Sequence, residues 1–385
     1  MGIAAQTLGS FIAACFILYD IFSKKPATPH LHHAALPPLL LGVAFLAWGL
    51  ISDFLNPQVE MQWRAPFGYM AFAVMPWLLY KWKPIWRASD MARLRVFVAI
   101  VIGLWGLVAL SQFLVGWRVL GMEFVSDAPR PRGFYSHPLT LAYAALFFMP
   151  LAIKWLLSFP RHKAAWSLAF GVSCLILTTY SRTILALSAL LLIWNVITSV
   201  KGKVRAGILV LAFAAMAGLF STDNPVTNRF KTMFSEKGEN RFSDYPDDRL
   251  AFWHAHWEMI KERPIVGHGG PMDTAYRLPY YKKIGLAGFS KPYEAHNAFI
   301  QVLAQFGLMG LSLFLSWLFW LKWHILRYPK GFARPVLLQT FWVFVLACLT
   351  QNGFQDSEVR MGLWLFAGGA LCFLACQKDS SEKNG

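Results

Sequence analysis

Charged side chains make up only 15% of this 385-residue chain, whereas 56% of it is hydrophobic and it holds 17 Trp and 32 Phe. A sequence so poor in charge, with apolar runs recurring from end to end, reads as an all-α, polytopic integral membrane protein. Cysteine is nearly absent too. Cys15, Cys174, Cys348, Cys372 and Cys376 all fall in apolar segments without metal-ligand spacing, which excludes a disulfide framework and a thiolate metal site. Walker A, Rossmann glycine, HExxH and Gly-x-Ser-x-Gly patterns are missing, so a nucleotide-driven machine is not expected. No internal repeat is present. Met1 to Ser10 lacks a basic region and no small-residue cleavage site follows, so the first apolar segment is expected to stay.

What is there is a series of apolar runs. About eleven to twelve spans are expected, near 6–22, 36–52, 66–80, 96–116, 138–158, 165–180, 183–200, 206–221, 298–322, 335–351 and 359–376. The organisation that follows is a first group of transmembrane helices over 1–221, an extramembrane loop domain over 222–295, a second group over 296–376 and a tail over 377–385. Alternate connections carry Lys24, Lys25, Lys81, Lys83, Arg87, Arg93, Arg95, Lys154, Arg161, Lys163, Lys201, Lys203, Arg205, Lys322, Arg327, Lys330, Arg334, Lys378 and Lys383. These are 19 of the 36 Lys and Arg residues, and they mark the cytoplasmic side. The net charge of +16 is thus mostly a topology signal, and no nucleic-acid partner is expected.

The opposite face holds segment 117–137, the tight turn Tyr180-Ser-Arg182-Thr183 and the long insertion. The insertion carries 11 Lys/Arg against 10 Asp/Glu, a mixed hydrated surface and not a polybasic arm. Within it, residues 247–260 have an acidic start and apolar residues at helical spacing, predicting an amphipathic helix capped by Asp247 or Asp248 and ended before Pro264. Gly267-His-Gly269-Gly270 reads as a turn. Trp253, Trp257 and Ile260 fall on one stripe expected to rest on the bilayer surface.

The residues with chemistry cluster on this face. His296 stands where the insertion meets a long apolar helix beginning near Ala298, with Asn297 as a candidate N-cap. A helix N-terminus disfavours protonation of a neighbouring imidazole, so His296 is placed to act as a general base. The bland reading is an interfacial polar residue ending a loop, and Glu294 nearby would favour imidazolium instead. Gly307 and Gly310 lie on nearly one face and read as sites of close helix approach. Basic residues are disfavoured in short outer loops, so Arg182 and the pair Arg130 and Arg132 run against the trend. Singly, each reads as snorkelling to lipid head groups; as a set beside a helix-terminal His they suit an anionic, lipid-linked ligand such as a pyrophosphate. His254 and His256 are two apart on a helix and diverge, so no metal site is expected.

His296-Asn297, nine residues, then Gly307-Leu-Met-Gly310 resembles the signature of the O-antigen ligase and polymerase superfamily of bacterial membrane glycosyltransferases. Asp248-Arg249-Leu-x-x-Trp253 through Pro264-x-x-Gly267-x-Gly269, Arg132-x-x-Phe134 to His137-Pro138, and Ser181-Arg182 are similar to other segments of that family; Leu311 departs from the Gly, Thr or Tyr usual at its place. The resemblance implies a GT-C-type membrane fold with a periplasmic active site in a Gram-negative inner membrane. It also implies transfer of O-antigen from undecaprenyl pyrophosphate to lipid A-core oligosaccharide, without nucleotide and without metal. By the same resemblance His296 would be the base, Arg182 and Arg249 would hold the pyrophosphate, and Arg132 would lie nearby. The single long loop before His296 and the lack of a second one favour a ligase over an O-antigen polymerase. A transporter of lipid-linked glycan is the alternative of another class, disfavoured by the scarcity of charges within spans.

Overall fold

A chain that must satisfy its backbone polar groups inside lipid does so with helices. The computed structural model describes residues 29–56, 88–115, 138–179, 181–200, 248–270, 272, 274–286, 292–327 and 331–351, with isolated positions between 202 and 227. Among the described residues there are nine helices and no strand: α1 Pro29–Phe54, α2 Ala88–Val115, α3 Pro138–Ser158, α4 Lys163–Leu177, α5 Arg182–Ser199, α6 Asp248–Glu262, α7 Thr274–Lys283, α8 Ala298–Leu326 and α9 Ala333–Cys348. Four stretches are long and apolar enough to cross a membrane, Arg95–Val115, Leu141–Ser158, Arg182–Ser199 and Ala298–Leu326; Leu40–Phe54, Lys163–Leu177 and Ala333–Cys348 are shorter apolar helices. Leu104, Leu114, Leu190 and Phe319 are each more than half exposed, as lipid-facing side chains are. The protein is therefore an all-α polytopic membrane protein. Seven expected spans coincide with these helices. Those near 6–22, 66–80 and 359–376 lie outside the described residues, as do Cys15, Cys372 and Cys376, and the one near 206–221 does so but for isolated positions.

The chain divides into two compact units, one of Met1–Arg87, Arg241–Pro329 and Ala347–Gly385, the other of Ala88–Asn240 and Lys330–Leu346. In the second unit, α2 meets α4 through small residues. A Cβ placed on Gly106 would come within 2.5 Å of the Gly171 Cα, and Ser167 Oγ donates to the Ala99 carbonyl at 3.0 Å. Without a hydrophobic drive between helices in lipid, such close backbone approach supplies the packing. On α5, Asn195 exchanges hydrogen bonds with Gln339 of α9 at 3.0 and 3.1 Å, and both side chains are buried.

In the first unit the pivotal element is α8. It is not one smooth helix: Gly307 sits at φ 63°, ψ −168°, a conformation open to glycine, and breaks the hydrogen-bond ladder. Several of the groups around the break are taken up from outside the helix. The Ala304 and Gln305 carbonyls accept from the amides of His268 and Gly269 at 3.0 and 2.7 Å, and the Phe306 carbonyl from Trp48 Nε1 at 2.7 Å. The Leu308 amide donates to the Pro264 carbonyl at 2.8 Å. Segment 264–270 is thereby clasped to α8, and the end of α1 seals the junction. Ser52 Oγ reaches the Val266 carbonyl at 2.8 Å, Asn56 Nδ2 the Gly267 carbonyl at 3.1 Å, and the Gly270 amide donates to Asp53. A Cβ on Gly267, at φ 76°, would lie 2.5 Å from the Gly307 nitrogen, so neither glycine accepts a side chain. The expectation that Gly307 admits a neighbouring helix is corrected: what approaches it is the backbone of a loop, and the glycine is needed for its dihedral angles as much as for its size.

Candidate active site

The amphipathic helix expected over 247–260 is α6, beginning at Asp248 and ending at Glu262. Its bilayer-facing stripe is corrected. Ile260 is buried, and Trp253 Nε1 donates to the Ala295 carbonyl at 2.9 Å; Trp257 is the exposed member, at 52%. The helix turns this face inward because α7 and α8 offer it a core: Ala251, Phe252 and Ala255 pack with Tyr281, and Met259 and Ile260 with Met272 and Ala304. Lys261 and Lys283 both pair with Glu258 and hold its carboxyl well below the usual carboxylate range, tying α6 to the end of α7.

This core fixes the segment that carries His296. The Ala295 carbonyl is held by Trp253, and the Ala295 amide donates to Oε1 of Gln301, a side chain 1% exposed, at 2.9 Å. Tyr281 donates its hydroxyl to the Tyr293 carbonyl at 2.9 Å. Asn297 is the N-cap of α8, as its place in the sequence predicts, and its Oδ1 accepts from the amides of Phe299 and Ile300 at 3.0 and 3.2 Å. Between these anchors His296 adopts φ 48°, the sole non-glycine residue with positive φ among the described residues. A left-handed histidine costs about 1–3 kcal/mol and persists only where its surroundings over-determine it. Here four flanking contacts do so.

The imidazole of His296 lies against two aromatic rings, with centroids 5.7 Å from Phe252 and 6.2 Å from Tyr293. Its Nδ1 is 3.3 Å from Oε1 of Gln351, which follows α9. Glu294, read as a carboxylate that would favour imidazolium, faces the buried guanidinium of Arg277 at 3.9 Å, so its charge is countered. One turn along α6 from Phe252, His256 is fully buried. Burial pushes its pKa down to about 4, with Arg277, His296 and His268 acting in the same direction and the Phe252 carbonyl opposing them. Nδ1–H donates to that carbonyl at 2.7 Å, leaving Nε2 buried with no hydrogen-bond partner among the described residues. His254, two residues earlier, is exposed, so the divergence expected of this pair is present. His268 is also buried, with Nδ1 2.7 Å from the Tyr276 hydroxyl and Nε2 2.8 Å from the Met259 carbonyl, and burial lowers its pKa.

Of the arginines singled out, Arg249 stands in the first turn of α6, partly buried and three residues ahead of Phe252, hence on the helix face that reaches His296. Arg182 is the first residue of α5, in the second unit, with Ser181 as N-cap. Arg130 and Arg132 lie outside the described residues. Among the described residues no three His, Cys, Asp or Glu side chains gather in a way that would hold a metal ion. Sequence reasoning passed over Gln301, Tyr281, Arg277 and Gln351. For Gln301 and Gln305 there was a readable signal, two amides four apart in an apolar run; Gln351 had none.

No curated protein matches the chain. Residues 166–315, from within α4 to beyond the kink in α8, match the family model described as Wzy_C, O-antigen ligase. That span contains Arg182, Arg249, His296, Asn297 and both glycines of α8. Over this stretch the chain is similar to the O-antigen ligase family.

Proposed function

We propose that the protein is an O-antigen ligase of GT-C type, transferring glycan en bloc from undecaprenyl pyrophosphate to a hydroxyl of lipid A-core oligosaccharide. The reaction takes place at the periplasmic face of a Gram-negative inner membrane. The observation that carries the reading is His296, held in a strained backbone conformation at the mouth of a capped helix within an O-antigen ligase domain. Strain of this kind gathers where a reacting group has to be fixed in place.

In the proposed reaction the acceptor hydroxyl oxygen forms a bond to the anomeric carbon, and the bond from that carbon to the pyrophosphate oxygen breaks. His296 takes the hydroxyl proton, and undecaprenyl pyrophosphate departs with the bonding pair. Attack from the side opposite the leaving group inverts the anomeric centre. Pyrophosphate leaves readily, so catalysis consists of orienting two substrates, removing one proton and stabilising the charge that grows on phosphate. Arg182 and Arg249 hold the pyrophosphate, with Arg130 and Arg132 in support, and contacts that tighten as charge develops lower the barrier itself. Asn297 holds the helix mouth in place beside the base. Neither nucleotide nor metal takes part.

Purified protein incubated with undecaprenyl-pyrophosphate-linked glycan and lipid A-core is expected to give a higher-mass lipopolysaccharide product, undiminished by EDTA. His296→Ala should lower turnover at least about a hundredfold. Full activity in that variant removes the base, and unchanged donor binding in Arg182→Ala and Arg249→Ala removes the clamp. Product consisting only of lengthened carrier-linked glycan makes the enzyme a polymerase.

A further inference from the structure

We infer that Gln351 is the positioning residue of His296: it accepts a hydrogen bond from Nδ1–H and holds the imidazole in the tautomer whose lone pair is on Nε2. The inference rests on the reading of His296 as the base. The contact is Nδ1 to Oε1 at 3.3 Å and joins positions 55 apart in sequence. A carboxamide oxygen offers lone pairs only, so the imidazole nitrogen facing it is the protonated one. In a neutral imidazole the other nitrogen then carries the lone pair that can take a substrate proton.

The surroundings suit this role. Gln351 is half-buried, and its backbone N–H donates to the Ala347 carbonyl at 3.0 Å near the end of α9. The backbone of His296 is fixed by its neighbours, and Phe252 and Tyr293 flank the ring. What remains to be set is the proton, and Gln351 sets it. The choice of amide over carboxylate also has a consequence. Among the described residues, His256 on α6 couples electrostatically to His296 and to Arg277 on α7, and Glu294, in the segment of His296, is paired with Arg277. A carboxylate at 351 would add an unpaired negative charge beside the ring and favour imidazolium. Gln351 fixes the tautomer without adding that charge.

The test is the pH dependence of kcat for transfer from undecaprenyl-pyrophosphate-linked glycan to lipid A-core, in the parent and in Gln351→Met and Gln351→Glu. Removing the acceptor in Gln351→Met is expected to lower kcat about ten- to a hundredfold with KM nearly unchanged. Glutamate can only accept, so Gln351→Glu should stay active at high pH, with the acid limb of its profile moved upward by about one pH unit or more. A parental kcat in Gln351→Met, an unmoved acid limb in Gln351→Glu, or loss of folded protein in both variants overturns the inference. Should His296→Ala be inactive while the acid limb stays in place, the base reading survives and only the role of Gln351 falls. Full turnover in His296→Ala removes both.

Discussion

The two units of this protein use different means to solve one problem, the satisfaction and packing of long apolar helices. In the second unit the helices meet by close backbone approach, Gly106 against Gly171, and through one reciprocal amide pair between Asn195 and Gln339. In the first unit α8 is broken at Gly307, and the groups set free are bonded to the backbone of segment 264–270 and to the end of α1. Regular helices in contact can slide or separate slightly at modest cost, whereas a backbone clasp has one register. The proposed base His296 lies in the unit with the rigid arrangement, as a base would need to, since one displaced by one ångström loses much of its value.

The largest expected effect that bears on this contrast is Gly307→Ala. Its Cβ would lie 2.7 Å from the Val266 nitrogen at a φ of 63°. A cost of about 3 kcal/mol or more is expected, read as lost folded yield in detergent. Gly106→Ala should cost less, about 1–3 kcal/mol, because α2 and α4 can move apart. An equal loss in both variants would dissolve the distinction between clasp and bundle.

Acidification sharpens it from another side. His256 is kept neutral in the fold with a pKa of about 4, whereas the unfolded chain protonates near the ordinary 6.5, so the unfolded state binds the proton first as pH falls. Stability is therefore complete above about pH 7 and declines between 6.5 and 4, by on the order of 3 kcal/mol. His268, whose pKa is lowered by burial, adds to the same trend. The apparent melting temperature should fall through this window, and less steeply in His256→Asn, which retains a donor for the Phe252 carbonyl. A melting temperature flat with pH would mean that the core beneath His296 is wetter than its geometry implies.

The smallest expected effect lies in the second unit. Asn195→Leu leaves Gln339 with a buried amide lacking its partner and should cost about 1–2 kcal/mol, with the double replacement Asn195→Leu and Gln339→Leu recovering much of it. Glycan transfer should be impaired far less than by Gly307→Ala. A loss of transfer in Asn195→Leu as deep as that of Gly307→Ala would extend the rigid requirement to both units.

Much of the fold was legible because its signals are local. Apolar length marks a span, and an Asx residue before an apolar run marks an N-cap; α2 to α5 and α8 begin or end within a few residues of the expected places. The histidine at the mouth of α8 was legible on the same grounds. The stripe of Trp253, Trp257 and Ile260 misled because helical periodicity identifies an apolar face without identifying what covers it. In the fold α7 and α8 cover it, and of the three only Trp257 is left largely exposed.

The sequence by itself determined that this is a membrane-embedded helical protein with a histidine at the head of a capped helix and arginines set against the charge trend, because hydropathy, capping and composition act within a few residues. Tertiary structure alone decided that α8 breaks at Gly307, that His296 is forced into a left-handed conformation, and that Gln351 and His256 accompany it. Those outcomes depend on groups brought together from positions up to 258 residues apart, as in the bond from Trp48 to Phe306, and no local pattern encodes such a meeting.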